Sequence, residues 1–160
     1  MKINIFGLIL SLAIITFTNS CTTTSPEANS WGDNGSWENI TKFMSDYFPN
    51  QSYSMTDQNE DNCIIRVKGG PSVTFAPSGR WASVVGYGST LPQMFLFDQL
   101  PPELYEYIQK IDALGDVYSV IINRGLYTVD LIDTSVVYDM STGAISQPAN
   151  IVKTASKILR

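Results

Sequence analysis

Tyr118-Ser119-Val120-Ile121-Ile122-Asn123-Arg124-Gly125-Leu126-Tyr127-Thr128-Val129-Asp130-Leu131-Ile132 carries the clearest local signal in the chain. Two β-prone runs, Tyr118 to Ile122 and Tyr127 to Ile132, flank Asn123-Arg124-Gly125, and a Gly in a short polar break is what a tight antiparallel turn needs. In the second run Tyr127, Val129 and Leu131 alternate with polar residues, the pattern of a strand buried on one face. This stretch predicts a hairpin, and with it an antiparallel sheet.

The same pattern stands earlier in the chain. Sliding by 64 positions, from Ile40 to Leu104, also puts Phe43 on Tyr107, Met44 on Ile108 and Tyr47 on Ile111. Trp37, Ile40, Phe43, Met44 and Tyr47 recur at threes and fours, so they predict an amphipathic helix that Ser36 can cap and that ends before Phe48-Pro49. Leu104, Tyr107, Ile108 and Ile111 predict a second helix, with Pro101-Pro102 at its start. Cys63, Ile65 and Val67 fall on Tyr127, Val129 and Leu131. After a hairpin one residue longer in the first half, Val73 and Phe75 fall on Val136 and Tyr138, each pair running into a turn at Gly79 or Gly143. The expected class is α+β: a tandem repeat of a helix plus three or four antiparallel strands, with halves of about 36–90 and 91–147 in a domain spanning 36–147.

Composition bounds the rest. A chain of 160 residues with 44% hydrophobic and 16% charged residues can bury one core, and it lacks the low hydrophobicity that keeps chains disordered. Ten Lys and Arg against fifteen Asp and Glu give a net charge of −5, which argues against nucleic acid as a partner. There is no His, so the usual neutral-pH general base and the commonest metal ligand are missing. No catalytic residue, metal or cofactor is predicted. Cys21 and Cys63 are the only cysteines, so no disulfide framework exists if Cys21 is used otherwise.

Residues 1–20 read as a signal peptide: Met1-Lys2 is a short positive start, and Ile3 to Phe17 is apolar but short for a membrane span. Thr18-Asn19-Ser20-Cys21 resembles a loose bacterial lipobox without its usual first Leu, which makes Cys21 the expected lipidation site. An ordinary signal peptide cut nearby would instead leave Cys21 a free thiol. Multiple acyl chains on one Cys hold a membrane far more firmly than a single chain does. Residues 21–35, rich in Thr, Ser, Pro, Asn and Gly, read as a flexible tether. The tether has only Glu27 where surface-exported lipoproteins of gut Bacteroidota carry an acidic cluster, so an outer-membrane lipoprotein on the periplasmic side is expected. Residues 148–160 predict a short terminal helix, with Ile151, Val152, Ala155, Ile158 and Leu159 opposite Lys153, Lys157 and Arg160. Such a helix can dock on its own domain or meet a membrane or partner.

Other motifs read as structural. Asp57-Gln58-Asn59-Glu60-Asp61 begins like a calcium loop, but Asn62 stands where such a loop needs Gly and Lys68 where it needs a bidentate Glu. Glu103, Glu106 and Asp112 fit the solvated side of a helix better than an acid–base pair. Cys63 alternates onto the core face as a buried thiol. Gly69-Gly70 has no helix start after it and reads as a hairpin turn, not a phosphate cradle. Asn39-Ile40-Thr41 fits a glycosylation acceptor, but it lies within the first helix beneath a bacterial-looking export signal. Trp81, Tyr87, Phe95 and Tyr118 are the aromatics whose burial the pattern leaves open, and they form the candidate binding surface.

The chain from Trp37 to Gly143 resembles the β-lactamase-inhibitor-like, PepSY-like domains of secreted Bacteroidota proteins. The resemblance rests on Tyr47-Phe48-Pro49, Val73-Thr74-Phe75 with Gly79-Arg80-Trp81, the Leu91-Pro92 and Leu100-Pro101 openings, and Tyr127-Thr128-Val129-Asp130-Leu131 before Val137-Tyr138-Asp139 and Gly143. Ala76 stands where such domains usually have Asp. The resemblance implies two helix-plus-sheet halves forming one concave, aromatic-bearing sheet that binds proteins. The expected function is a non-enzymatic, lipid-anchored periplasmic binding or inhibitory module. The alternative is a structural, envelope-maintenance lipoprotein contacting membrane or cell wall.

Overall fold

A computed structural model describes residues 35–147. The expected signal peptide, Cys21, most of the expected tether and the expected terminal helix (148–160) lie outside the described residues.

The chain forms α1 (Ser36–Tyr47), then β1 (Tyr53–Gln58), β2 (Cys63–Val67), β3 (Ser72–Phe75) and β4 (Trp81–Val85). There follow α2 (Gln93–Gln99), α3 (Pro102–Lys110), a 3-10 turn at Leu114–Asp116, β5 (Val117–Asn123), β6 (Leu126–Leu131), β7 (Ser135–Asp139) and β8 (Ile145–Ser146). The eight strands make one antiparallel sheet in the order β1 to β8, so each strand pairs with its neighbours in sequence. The class is α+β.

Register places one kind of side chain on each face. Met55, Ile65, Val73, Val84, Val120, Val129 and Val136 stand in one line across the first seven strands, each paired with the next. From Ile65 to Val136 this β-branched row is the floor of the core, while Met55 on the edge strand is exposed. Ile40 and Met44 from α1, Phe48 just past its end, Phe95 and Leu96 from α2, and Leu104 and Ile108 from α3 cover it, all nearly inaccessible. Burying each such side chain contributes roughly 1.5–3 kcal/mol. Among the described residues helices therefore occupy one face only, and no helix covers the other.

The hairpin around Gly125 forms as the sequence predicts, with a turn reduced to Arg124 (φ 50°) and Gly125 (φ 79°) between paired Asn123 and Leu126. Positive φ at both central residues is the mark of a turn whose twist matches its strands.

Four details correct the sequence reading. Ser36 is the first helical residue rather than the cap. Gly35 takes the cap position at φ 68°, and the Ser36 hydroxyl is buried without a hydrogen-bond partner among the described residues. Ile111 lies past the end of α3 and is exposed, so it does not continue that helix's apolar stripe. The second half has an extra helix, α2, which the sequence reading does not predict: Leu91-Pro92 opens a seven-residue helix. Trp81 and Phe95 belong to the core side, as described below.

Gly79 joins the layers. Its φ is 75°, and a Cβ there would collide with the carbonyl oxygen of Ser36, so only glycine lets the β3–β4 turn close against α1.

Candidate binding face

The face away from the helices is built by the same alternation that builds the core. Ser54, Arg66, Ser72, Val85, Ser119, Asp130 and Ser135 are paired in succession from β1 to β7. Beside this row run Ile64, Thr74, Ser83, Ile121, Thr128, Val137 and Ser146, from β2 to β8. The face is thus mostly hydroxyls and short aliphatic groups around Arg66 and Asp130, with Ser72 and Ser119 themselves buried. Short side chains there let a partner surface approach the sheet closely while still offering donors and acceptors.

Aromatics rise at one margin of this bed. Tyr87, just past β4, is 58% exposed, and the Arg66 guanidinium carbon lies 4.0 Å from its ring centroid. Tyr118 sits at an irregularity in β5, where the register shifts between Val117 and Ser119, and is also exposed. The loop after β4 secures that shift. The Gly86 N–H donates to the Tyr118 carbonyl at 2.7 Å, and the Leu91 N–H donates to the Val117 carbonyl at 2.8 Å. Tyr87 and Tyr118 are therefore carried by segments that are hydrogen-bonded to each other. The Ser119 hydroxyl is buried and has no partner among the described residues.

Trp81 and Phe95 are brought together elsewhere. Their ring centroids are 5.2 Å apart, and Phe43 and Tyr47 pack against Phe95 at 5.9 and 5.6 Å. The register irregularity between Thr74 and Phe75 pairs Trp81 with Phe75 and turns its indole to the helical side. These two aromatics hold the layers together and leave the candidate surface to Tyr87 and Tyr118.

Arg66 was open to discovery from the sequence: it alternates with Ile65 and Val67, so the period that buries those two sends Arg66 and Lys68 to the open side.

The remaining chemical groups are dispersed. Burial pushes the Cys63 thiol above its ordinary range, with Asp57 adding in the same direction. Burial likewise raises the Tyr138 phenol, which is reinforced by Glu103, whose carboxylate accepts from that hydroxyl at 3.4 Å. Hydrogen bonds from Ser141 hold Asp139 below the usual carboxylate range. Glu106 and Asp112 are exposed. In the β1–β2 turn the Asn59 side-chain oxygen accepts from the N–H groups of Asp61 and Asn62 at 2.9 and 3.0 Å, closing the turn from within. Among the described residues no group of three or more Cys, Asp or Glu could hold a metal ion, and no helix is long and apolar enough to cross a membrane.

No family model and no curated protein matches the chain. Solved structures do resemble it. One, from Bacteroides thetaiotaomicron and provisionally described as a calcium-regulated periplasmic protein, shares 16% identity at a TM-score of 0.58, over 70% of this chain and 89% of that one. A second, provisionally a periplasmic protein of the DUF2874 family from Bacteroides vulgatus, shares 18% at a TM-score of 0.58 over 70% and 89%. A third, from the same species and provisionally a periplasmic protein of unknown function, shares 15% at 0.57 over 70% and 90%. At these identities the likeness is one of fold.

Proposed function

We propose that this chain is a non-enzymatic, lipid-anchored periplasmic module that recognises a protein through the open face of its sheet. The observation that carries the reading is the one-sided fold. Three helices cover one face, while the other presents hydroxyls and short aliphatic side chains, edged by exposed Tyr87 and Tyr118. Tyr at the edge of a polar, close-approach surface is the composition of a recognition face. The periplasmic address is supported by the export-like residues 1–20 and by the descriptions of the structurally similar proteins. Lipidation at Cys21 rests on the lipobox-like Thr18-Asn19-Ser20-Cys21.

The same reading takes the halves, about 36–90 and 91–147, as repeats of a PepSY-like, β-lactamase-inhibitor-like unit. Both run a helix into four strands, with Cys63, Ile65 and Val67 answering to Tyr127, Val129 and Leu131 as buried positions. Calcium regulation, ascribed to one similar protein, is not carried over, because Asn62 and Lys68 depart from a calcium loop where Gly and Glu are needed.

The full chain, expressed with its own leader in a Gram-negative host and carrying a photo-cross-linking residue, tests the proposal. A cross-linker at Ile121 or Thr128 should give a discrete protein adduct, whereas one at Glu106 on the helical side should not. Adducts from neither open-face position would remove the binding function. Recovery of wild type and Cys21→Ala in the same soluble fraction would remove the lipid anchor.

A further inference from the structure

Among the described residues the sheet ends at β1, and the side chains beside that edge are unusual for so acidic a chain. Arg66 and Lys68 are two of only ten basic residues, and both are exposed on the open side of β2 and its extension. Opposite them on β1 stand two of the smallest side chains available. Ser54 pairs with Arg66, and the Ser52 carbonyl accepts from the Lys68 N–H at 2.9 Å. Nothing bulky therefore lies between either cation and the edge, and among the described residues neither cation is in an ion pair. Ser52, Ser54, Arg66, Lys68, Gly69 and Tyr87 contribute to a groove of about 480 Å³ at this corner. Tyr87 supports the Arg66 guanidinium from one face, leaving its N–H groups free to point along the plane, the geometry that carboxylates accept.

The backbone points the same way. The Val67 N–H turns to β3, donating to Pro71, while the Lys68 N–H turns to β1. Tyr53, paired with Val67, therefore directs its own N–H and carbonyl to the free edge. Two cations at alternate positions of a strand stand about 7 Å apart, which is the spacing of alternate side chains on another extended chain and too wide for one small oxyanion. A strand added at about 4.8 Å from β1 would set its alternate side chains on the same side as Arg66 and Lys68, within reach of both across the serines.

We infer that the β1 edge accepts an extended acidic segment of a partner protein, whose backbone pairs with β1 around Tyr53 and whose alternate carboxylates meet Arg66 and Lys68. This rests on the reading of the open face as the binding face and names the chemistry of its partner. The register shift between Met55 and Asp57 confines pairing to the first half of β1, next to the cations.

The test uses the full chain, a synthetic peptide alternating Glu with Val, and a control alternating Gln with Val. The Glu peptide should bind in a salt-sensitive manner. Binding should weaken at least about tenfold with the Gln peptide and with the Arg66→Gln/Lys68→Gln variant. Tyr53→Pro, which removes an outward donor while sparing the β1–β2 ladder, should weaken binding at unchanged thermal stability. Equal binding of both peptides, full binding by the double variant, or displacement of the Glu peptide by inorganic phosphate at equal affinity would overturn the inference. So would a dimer in solution paired through β1. If open-face adducts persist in the double variant, the acidic-segment inference falls while the binding function stands; if no adduct forms at all, the function falls first.

Discussion

The indole N–H of Trp81 donates to the side-chain oxygen of Gln99 at 2.6 Å, tying β4 to α2. The Gln99 amide in turn donates to the Tyr47 hydroxyl at 2.6 Å, so one side chain connects the sheet to two helices. Replacing Gln99 with Leu should strand the half-buried Trp81 N–H and leave the Tyr47 hydroxyl with only its bond to Asp98 at 3.3 Å, costing about 1–3 kcal/mol. Urea unfolding should show a lower midpoint with an unchanged slope. A midpoint equal to wild type would mean that the network contributes nothing net.

Phe95 and Tyr87 are both aromatic and lie close together in the sequence, yet their substitutions should separate cleanly. Phe95 is inaccessible and packed by Phe43, Tyr47 and Trp81, so Phe95→Ala should cost about 3–5 kcal/mol. Tyr87→Ala removes only an exposed ring and its stacking on Arg66, so it should cost no more than about 1 kcal/mol. Calorimetric melting of the two variants gives the comparison.

Gly79→Ala should be among the most damaging single changes in the chain. The added methyl meets the Ser36 carbonyl oxygen and the Asn39 side chain, and the residue must also hold a left-handed φ. Strain and clash together should exceed about 2 kcal/mol, and hydrogen exchange should show α1 losing protection first. Unchanged protection in α1 would contradict the close approach.

Stability should decline in alkali. Burial raises the Tyr127 phenol and, as the largest influence, the Tyr47 phenol as well. A group whose folded pKa is raised contributes stability that is complete below its unfolded value and lost as pH rises through the folded one. The chemical-unfolding midpoint should therefore hold to about pH 9 and fall above about pH 10. Tyr127→Phe should flatten the decline. Asp139 works with the opposite sign: its lowered pKa stabilises above the ordinary carboxylate value and is lost as pH falls below about 3.8. Ser141→Ala should shrink that acid-side loss.

Much of this architecture was legible because periodicity reports burial directly. Val129 and Leu131 alternate, and both are buried; Ile40 and Met44 are four apart, and both face the sheet. The Arg124-Gly125 turn was legible because left-handed backbone has few suitable residues. What escaped reading depended on partners distant in sequence. Gln93 to Gln99 is too short to show a helical period, and its helix is held by Phe43 and Trp81, far away in the chain. The candidate site was mislaid for the same reason. Trp81 and Phe95 look like Tyr87 and Tyr118 in sequence, and only the pairing of Trp81 with Phe75 sends that indole inward. Arg66 was readable by alternation, but its value as a site comes from the serines opposite it, which no local pattern reveals.

Because every strand lies beside the strand made just before it, none has to be inserted later between two others. The sheet can grow at one margin as the polypeptide emerges, each new strand finding its template already in place, and the loops to be closed stay short except at the helical connection between β4 and β5. The same order governs disassembly: a pull on either end should peel strands singly from a margin, so the molecule should yield to force in small steps, not in one rupture.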